Sequence, residues 1–303
     1  EIGLGTSHAG IMVLPTEVKV GTPASAYFDL ESDIVYEIGL TPNRSDATCH
    51  MGVAKDLAAS LKINNDFTGT VHLPDVSEFK AGSKAIIPVT IEQADACPRY
   101  AGVLIEGLEV KESPDWLKQR LNSIGVKSTN NVVDVTNFIL HDMGQPLHAF
   151  DADVLDGLCG GAVSAADFGL RQASDGEVFK GLDGREIKLD SRAQVVTCRN
   201  RPVALAGVMG SEESGVTQAT QRIWLESALF SPIAVRNSSR CGGMRTESSS
   251  RYEKGLPVEV TLAAAQRAIE LIQQHLGGVA GPTNVCSSPQ QEKPPLLLRR
   301  LAL

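Results

Sequence analysis

Three features of the 303-residue sequence predict an α+β fold. Several segments carry helix start and stop signals, and several short apolar runs end in Gly and Asp turns, as strands do. The two kinds of element do not alternate regularly enough for a doubly wound parallel sheet. In chain order, Leu40 to Leu61 opens with a Pro42-Asn43 turn and a cap at Ser45 or Asp46. Met51, Ala54, Leu57 and Leu61 then recur at helical spacing. Turn formers and charge between Thr68 and Ala85 mark a boundary. AIIPVTIE from Ala85 and YAGVLIEGL from Tyr100 are predicted strands. Ser113-Pro114-Asp115 opens a helix with Leu117, Leu121 and Ile124 on one side and Gly125 as its stop. VFKGLDGREIKL, AQVVTC, PVALAGV and RIWLES follow as short strands. Ser231-Pro232 begins another helix. A last one runs from about Pro257 to His275, with Ile269, Ile272 and Leu276 apolar and a Gly277-Gly278 exit. After Gly281, PTNVCSSPQQEKPP has linker composition.

With 42% hydrophobic residues, a chain of this length can bury one large core and smaller pieces, so two or three units are expected. It lacks an apolar run of the roughly 20 residues that a membrane span requires. Its start, EIGLGTSHAG, is unlike a secretory signal. A cytoplasmic protein with no membrane partner is the expectation. Cys49, Cys97, Cys159, Cys198, Cys241 and Cys286 include no C-x-x-C pair, which argues against zinc ribbons and disulfide frameworks and for small core residues. A net charge of −8 excludes a general nucleic-acid binder, because such binders neutralise phosphates with Lys and Arg. The balance reverses locally between Arg236 and Lys254, where Arg236, Arg240, Arg245 and Arg251 form either a solvated, ion-paired face or a weak RNA contact.

The candidate chemistry gathers between Pro202 and Lys254, in turn-rich segments beside short apolar runs. Glu226 lies in IWLESALF between apolar Trp224 and Leu225 and small Ser227 and Ala228. It is either a solvent-facing strand carboxylate, the partner of an arginine, or a buried acceptor. Ala206, Gly207 and Gly210 in ALAGVMG give a ligand close access to backbone N–H groups, or simply make a tight turn. Walker, G-x-G-x-x-G, G-x-S-x-G and H-E-x-x-H motifs are missing, so ATP chemistry and a metal site are not expected in this chain.

Two ordered stretches, NNVVDVTNFILHDMGQPLHAFD from Asn130 and PVALAGVMGSEES…WLESALFSP…RCGGMRTESSSRYEKG from Pro202, resemble the editing region of bacterial phenylalanyl-tRNA synthetase β subunits. The resemblance implies a mixed-sheet B3/B4 editing domain over residues 81–280. Ahead of it are expected the end of an OB-like tRNA-binding domain (1–34, EIGLGTSHAGIMVLP matching its closing strands) and a B1-like segment with linker (35–80). Residues 281–303 then lead into a B5 domain, with LLLRRLAL as its first strand. It further implies that this is an internal piece of an α2β2 synthetase whose α subunit activates phenylalanine with ATP and Mg2+, and whose RNA partner is phenylalanine tRNA.

The implied activity is hydrolysis of the ester of tyrosine misattached to that tRNA. A pocket built for phenylalanine cannot strongly reject an isostere with one extra hydroxyl, whereas a second site with a buried partner for the hydroxyl discriminates by roughly 10⁴. By the resemblance Glu226 recognises the tyrosine hydroxyl and Gly207, beside Ala206, gives its amide. Thr136, Asn137 and His148 position water and substrate, His148 without acting as general base. Thr246 and Ser248 border the ring pocket, with Ser248 replacing the family's alanine and Ser250 an aromatic residue. The alternative from a different class is a non-catalytic scaffold that contacts tRNA and supports assembly.

Overall fold

The structure, a computed structural model, describes residues 12–28, 33–72, 81–164 and 166–287. The predicted strand LLLRRLAL and most of the linker before it lie outside them, as does EIGLGTSHAG. Two compact units divide at residue 38. In the first, the one-turn helix α1 (Ala24–Tyr27) is the regular element among the described residues, and the OB-like closing strands expected up to Pro15 are not formed over residues 12–15.

The second unit begins with α2 (His50–Asn64), β1 (Thr90–Ile91), β2 (Arg99–Leu108), α3 (Asp115–Ser123), α4 (Asn131–Met143), β3 (Leu147–Asp151) and α5 (Ala152–Cys159). Then come β4 (Phe168–Gln172), β5 (Val178–Lys180), β6 (Glu186–Lys188), β7 (Gln194–Cys198), β8 (Arg201–Leu205), β9 (Met209–Gly210) and β10 (Arg222–Leu229). It ends with α6 (Pro232–Cys241), α7 (Glu247–Lys254), α8 (Val260–Leu276), β11 (Gly277–Ala280) and β12 (Asn284–Ser287).

One sheet has the order β11-β2-β10-β3, with β12 also on β2; a second runs β1-β4-β7-β8-β9, and β5-β6 form a hairpin. Alternation along the strands gives the first sheet two apolar faces. Val103, Ile105, Ile223 and Leu225 meet Val135, Ile139, Ile269 and Ile272 of α4 and α8. Leu104, Trp224 and Phe150 meet Phe168, Leu170 and Val195 of the second sheet. Phe168 makes edge contacts with Phe150 and Trp224, with centroids 5.8 and 6.2 Å away. At Gly102 a Cβ would come within 2.0 Å of the Trp224 ring, so only glycine lets that indole lie flat over β2.

Several expectations are corrected. Ser45 and Asp46 form a 3-10 turn, and the cap of α2 is the thiol of Cys49, which accepts from Gly52 N–H at 3.4 Å. Leu57 is 57% exposed, because α2 packs through Gly52, where a Cβ would meet Asp46 O at 2.0 Å. α2 itself packs on the main body, as its apolar spacing implies: it lies in the same compact unit as the residues after 80, and His50 Nδ1 is 2.9 Å from His141 O. The strand from Ala85 contracts to Thr90–Ile91, parallel to β4. Residues 284–287, predicted as linker, form β12: Gly281 N–H donates to Leu104 O and turns the chain along the rest of β2. The six cysteines are free and four are buried, with Cys159 Sγ 2.8 Å from Cys198 Sγ.

Candidate active site

β10 is paired on both sides, and at its centre Glu226 stands opposite Gly102 of β2 and His148 of β3. Gly102 has no side chain and the Trp224 indole occupies the space over it, so the carboxylate is flanked on that side by indole and on the other by imidazole. Glu226 is 6% exposed. Its Oε2 accepts from the Tyr100 hydroxyl at 2.6 Å, and the Tyr100 oxygen accepts from Trp224 Nε1 at 3.4 Å. Among the described residues Oε1 accepts no hydrogen bond. Burial pushes the Glu226 carboxyl up to about 7, against the pull of the Tyr100 hydrogen bond. The solvent-facing and arginine-paired readings of Glu226 are thereby removed.

His148 is held by its edge contact with Phe150, at 4.4 Å, and by Gly210, where a Cβ would lie 2.3 Å from Cε1. Burial pushes its pKa down to about 4, so the ring is neutral at pH 7. Its Nε2 is buried with no hydrogen-bond partner. A buried ring nitrogen left unpaired costs free energy, which makes this atom a candidate contact for a bound group.

The turn after β8 supplies the second element. Ala206 is buried and its N–H donates to Gln194 O. Gly207 has φ +70°, and a Cβ there would lie 2.7 Å from Val235 and 3.1 Å from the Phe230 and Tyr252 rings. Its N–H makes no hydrogen bond to a described residue, whereas its carbonyl accepts from Ser248 Oγ at 3.1 Å. Thr246 caps α7: its hydroxyl accepts from Ser249 N–H and donates to Val208 O at 3.0 Å. Thr246 and Ser248 thus fasten α7 to the Gly207–Val208 turn.

Thr136 and Asn137 stand on α4, whose N-cap is Asn130. The Thr136 hydroxyl donates to Val133 O, and no hydrogen bond joins either residue to Glu226 or His148. Glu226 and His148 are brought together directly; Thr136 and Asn137 are neighbours on another element.

Arg240 and Arg245 are exposed, and Arg236, also exposed, is 3.7 Å from Glu253. Arg251 is a correction. Its side chain is 8% exposed and donates to Glu247 and to Thr48 O, so it joins α7 to the start of α2 instead of facing solvent.

Sequence reading missed Tyr100, Gln145 and Tyr252. Tyr100 reads as one more aromatic strand residue, and only its register, two residues from Gly102, puts its hydroxyl on Glu226. Gln145 is fully buried, donates to Ala228 O at 2.8 Å, and has an unpartnered Oε1. The Tyr252 hydroxyl also donates to Ala228 O, at 2.9 Å. Nothing in Gly144-Gln145-Pro146 beyond a turn signal distinguishes that amide in advance.

Among the described residues no group of three or more His, Cys, Asp or Glu is arranged to hold a metal, and no helix is long and apolar enough to cross a membrane.

A family model for the B3/4 domain matches residues 96–277, which holds Glu226, His148 and the turn between them. The whole chain is 45% identical, over 310 residues, to the phenylalanine–tRNA ligase beta subunit of Parasynechococcus marenigrum (strain WH8102), of which it spans 37%. It is 41% identical over 295 residues to that of Bacteroides fragilis (strain YCH46), with 96% of this chain and 35% of the relative aligned. A crystal structure of an N-terminal fragment of the phenylalanyl-tRNA synthetase beta-subunit from Pyrococcus horikoshii is similar at 15% identity and TM-score 0.43, covering 79% of this chain and 60% of that one. By the match over residues 96–277, in a chain aligned throughout with phenylalanine–tRNA ligase beta subunits, this protein belongs to the B3/4 domain family.

Proposed function

We propose that this chain is the editing region of a phenylalanine–tRNA ligase β subunit and hydrolyses the ester of tyrosine misattached to phenylalanine tRNA. The carrying observation is Glu226: a buried carboxylate that already binds one phenol hydroxyl through Oε2 and keeps Oε1 open. A second phenol hydroxyl placed at Oε1 meets a charged acceptor once the pH passes about 7, whereas phenylalanine leaves that acceptor desolvated and unpaired. The unpartnered Gly207 N–H is a further donor for the tyrosyl group.

His148, neutral at pH 7, holds water or a ribose hydroxyl through its open Nε2. A base with a pKa of about 4 takes protons poorly at pH 7, so its contribution is positional. Thr136 and Asn137, on α4, order the amino-acid end of the substrate. The exposed Arg236, Arg240 and Arg245 contact the RNA backbone. Amino-acid activation, with its ATP and Mg2+, belongs to the α subunit of an α2β2 enzyme in the cytoplasm.

Deacylation by the purified protein of phenylalanine tRNA charged with tyrosine or with phenylalanine tests the reading. Faster release of tyrosine, with the preference removed by Glu226→Gln, is expected. Binding of both RNAs without turnover refutes the catalytic assignment in favour of a scaffold.

A further inference from the structure

Glu226 does not meet its surroundings alone: it ends a directed chain of hydrogen bonds. Trp224 Nε1–H can only donate, and it donates to the Tyr100 oxygen. The single Tyr100 proton is therefore aimed away from the indole, onto Glu226 Oε2 at 2.6 Å. All three side chains lie on one face of β2 and β10, because Trp224 pairs with Leu104, Glu226 with Gly102 and Ala228 with Tyr100. Tyr100 is 1% and Trp224 0% exposed, so water cannot take either place.

Resting on the reading of Glu226 as the acceptor for a substrate hydroxyl, we propose that Tyr100 is a specificity-determining positioning residue: it occupies Oε2, fixes the carboxylate plane, and presents Oε1 as the single acceptor for a substrate hydroxyl. A carboxylate without that restraint could rotate and satisfy itself elsewhere in the absence of a hydroxylated ring. Held by Tyr100, it stays unpaired with phenylalanine and paired with tyrosine, which is the free-energy difference that discrimination requires.

The surrounding titratable groups leave this carboxylate as the one that changes charge near neutrality. Tyr100 on β2, Tyr252 on α7 and Cys97 before β2 are all pushed well above their ordinary values by burial, and His148 on β3 is pushed down. The Tyr100 hydrogen bond is what favours the ionised form of Glu226.

The test is the ratio of tyrosine to phenylalanine release rates from charged tRNA, measured from pH 6 to 9 with the full chain. Tyr100→Phe should lower the ratio about tenfold or more, the equivalent of one charge-assisted hydrogen bond. It should also move the pH midpoint of the ratio upward by about one unit, because the ionised carboxylate has lost its donor. A purely structural role for Tyr100 would slow both substrates alike and leave that midpoint in place. Trp224→Phe keeps the Tyr100 hydroxyl but frees its proton, and should give a loss of about threefold in the same direction. Glu226→Gln separates the two ideas. If it leaves the tyrosine preference intact, the reading of Glu226 fails and takes this proposal with it. If it abolishes the preference while folded Tyr100→Phe and Trp224→Phe keep the parental ratio and midpoint, Glu226 stands and the role of Tyr100 is overturned.

Discussion

Glu226 and His148 are direct cross-strand partners, and burial drives their protonation in opposite senses: the carboxyl is pushed up to about 7 and the imidazole down to about 4. Both are therefore held neutral by the same desolvation, over nearly the same pH range.

The first prediction follows from that symmetry. Glu226, raised from 4.5, contributes stability that is full below pH 4.5 and is lost as pH rises through about 7. His148, depressed from 6.5, contributes stability that is full above pH 6.5 and is lost as pH falls through about 4. Each amounts to about 3 kcal/mol, and the two slopes nearly cancel between pH 4.5 and 6.5. Glu226→Gln should make Tm rise with pH across this interval, and His148→Gln should make it fall, by roughly 5 °C in each case relative to the parent. Thermal scans of the three proteins at half-unit pH steps decide the matter; slopes of the same sign in both variants would contradict the assignment.

His148 also carries a kinetic prediction. His148→Ala should slow deacylation, while the parental rate shows no single-proton rise centred near pH 6.5. Gly210→Ala should mimic it, because the added methyl displaces the imidazole by its 2.3 Å approach to Cε1. A pH–rate profile with a step near 6.5, absent from His148→Ala, would make the histidine a general base.

Ser248 tests the pocket wall. Ser248→Ala removes the hydrogen bond to Gly207 O and should cost about 1 kcal/mol of stability while hydrolysis persists. Ser248→Trp should fill the space for the substrate ring and abolish release of tyrosine. A folded tryptophan variant with the parental rate would place the ring elsewhere.

The arginines divide into two classes. Arg240→Ala and Arg245→Ala should weaken tRNA binding and each reduce the slope of log affinity against log salt by about one, with little change in Tm. Arg251→Ala should lower Tm, since it leaves Glu247 and Thr48 O without a buried partner. Calorimetry and salt-titrated binding separate these outcomes, and an unchanged Tm in Arg251→Ala would deny its structural role.

Much of this architecture was legible where local chemistry governs it. The helix from Asp115 was announced by Ser113-Pro114 and Gly125, the hairpin Val178–Lys188 by its Asp183-Gly184 turn, and β10 by its apolar run. The apolar run around Glu226 left its role open among three readings, and the resemblance to the editing region singled it out as an acceptor. What was not legible depends on pairing between distant segments. Tyr100 reaches Glu226 only through a register set 126 residues apart. β12 forms only because β2 has a vacant edge beyond β11. Arg251 looked like its exposed neighbours, because charge spacing on a short helix does not reveal that the segment at Thr48 covers it.

The central position of β10 restricts how this protein can change. A shift of that strand by one residue relative to β2 and β3 would turn Glu226 into the helix-side core among Val103 and Ala264, and turn Leu225 toward the imidazole. A shift by two would keep the face but set Ala228 or Trp224 opposite His148. Length changes in this part of the chain are therefore confined to the connecting loops, and the specificity can be transplanted only as three strands together, never as a single peptide.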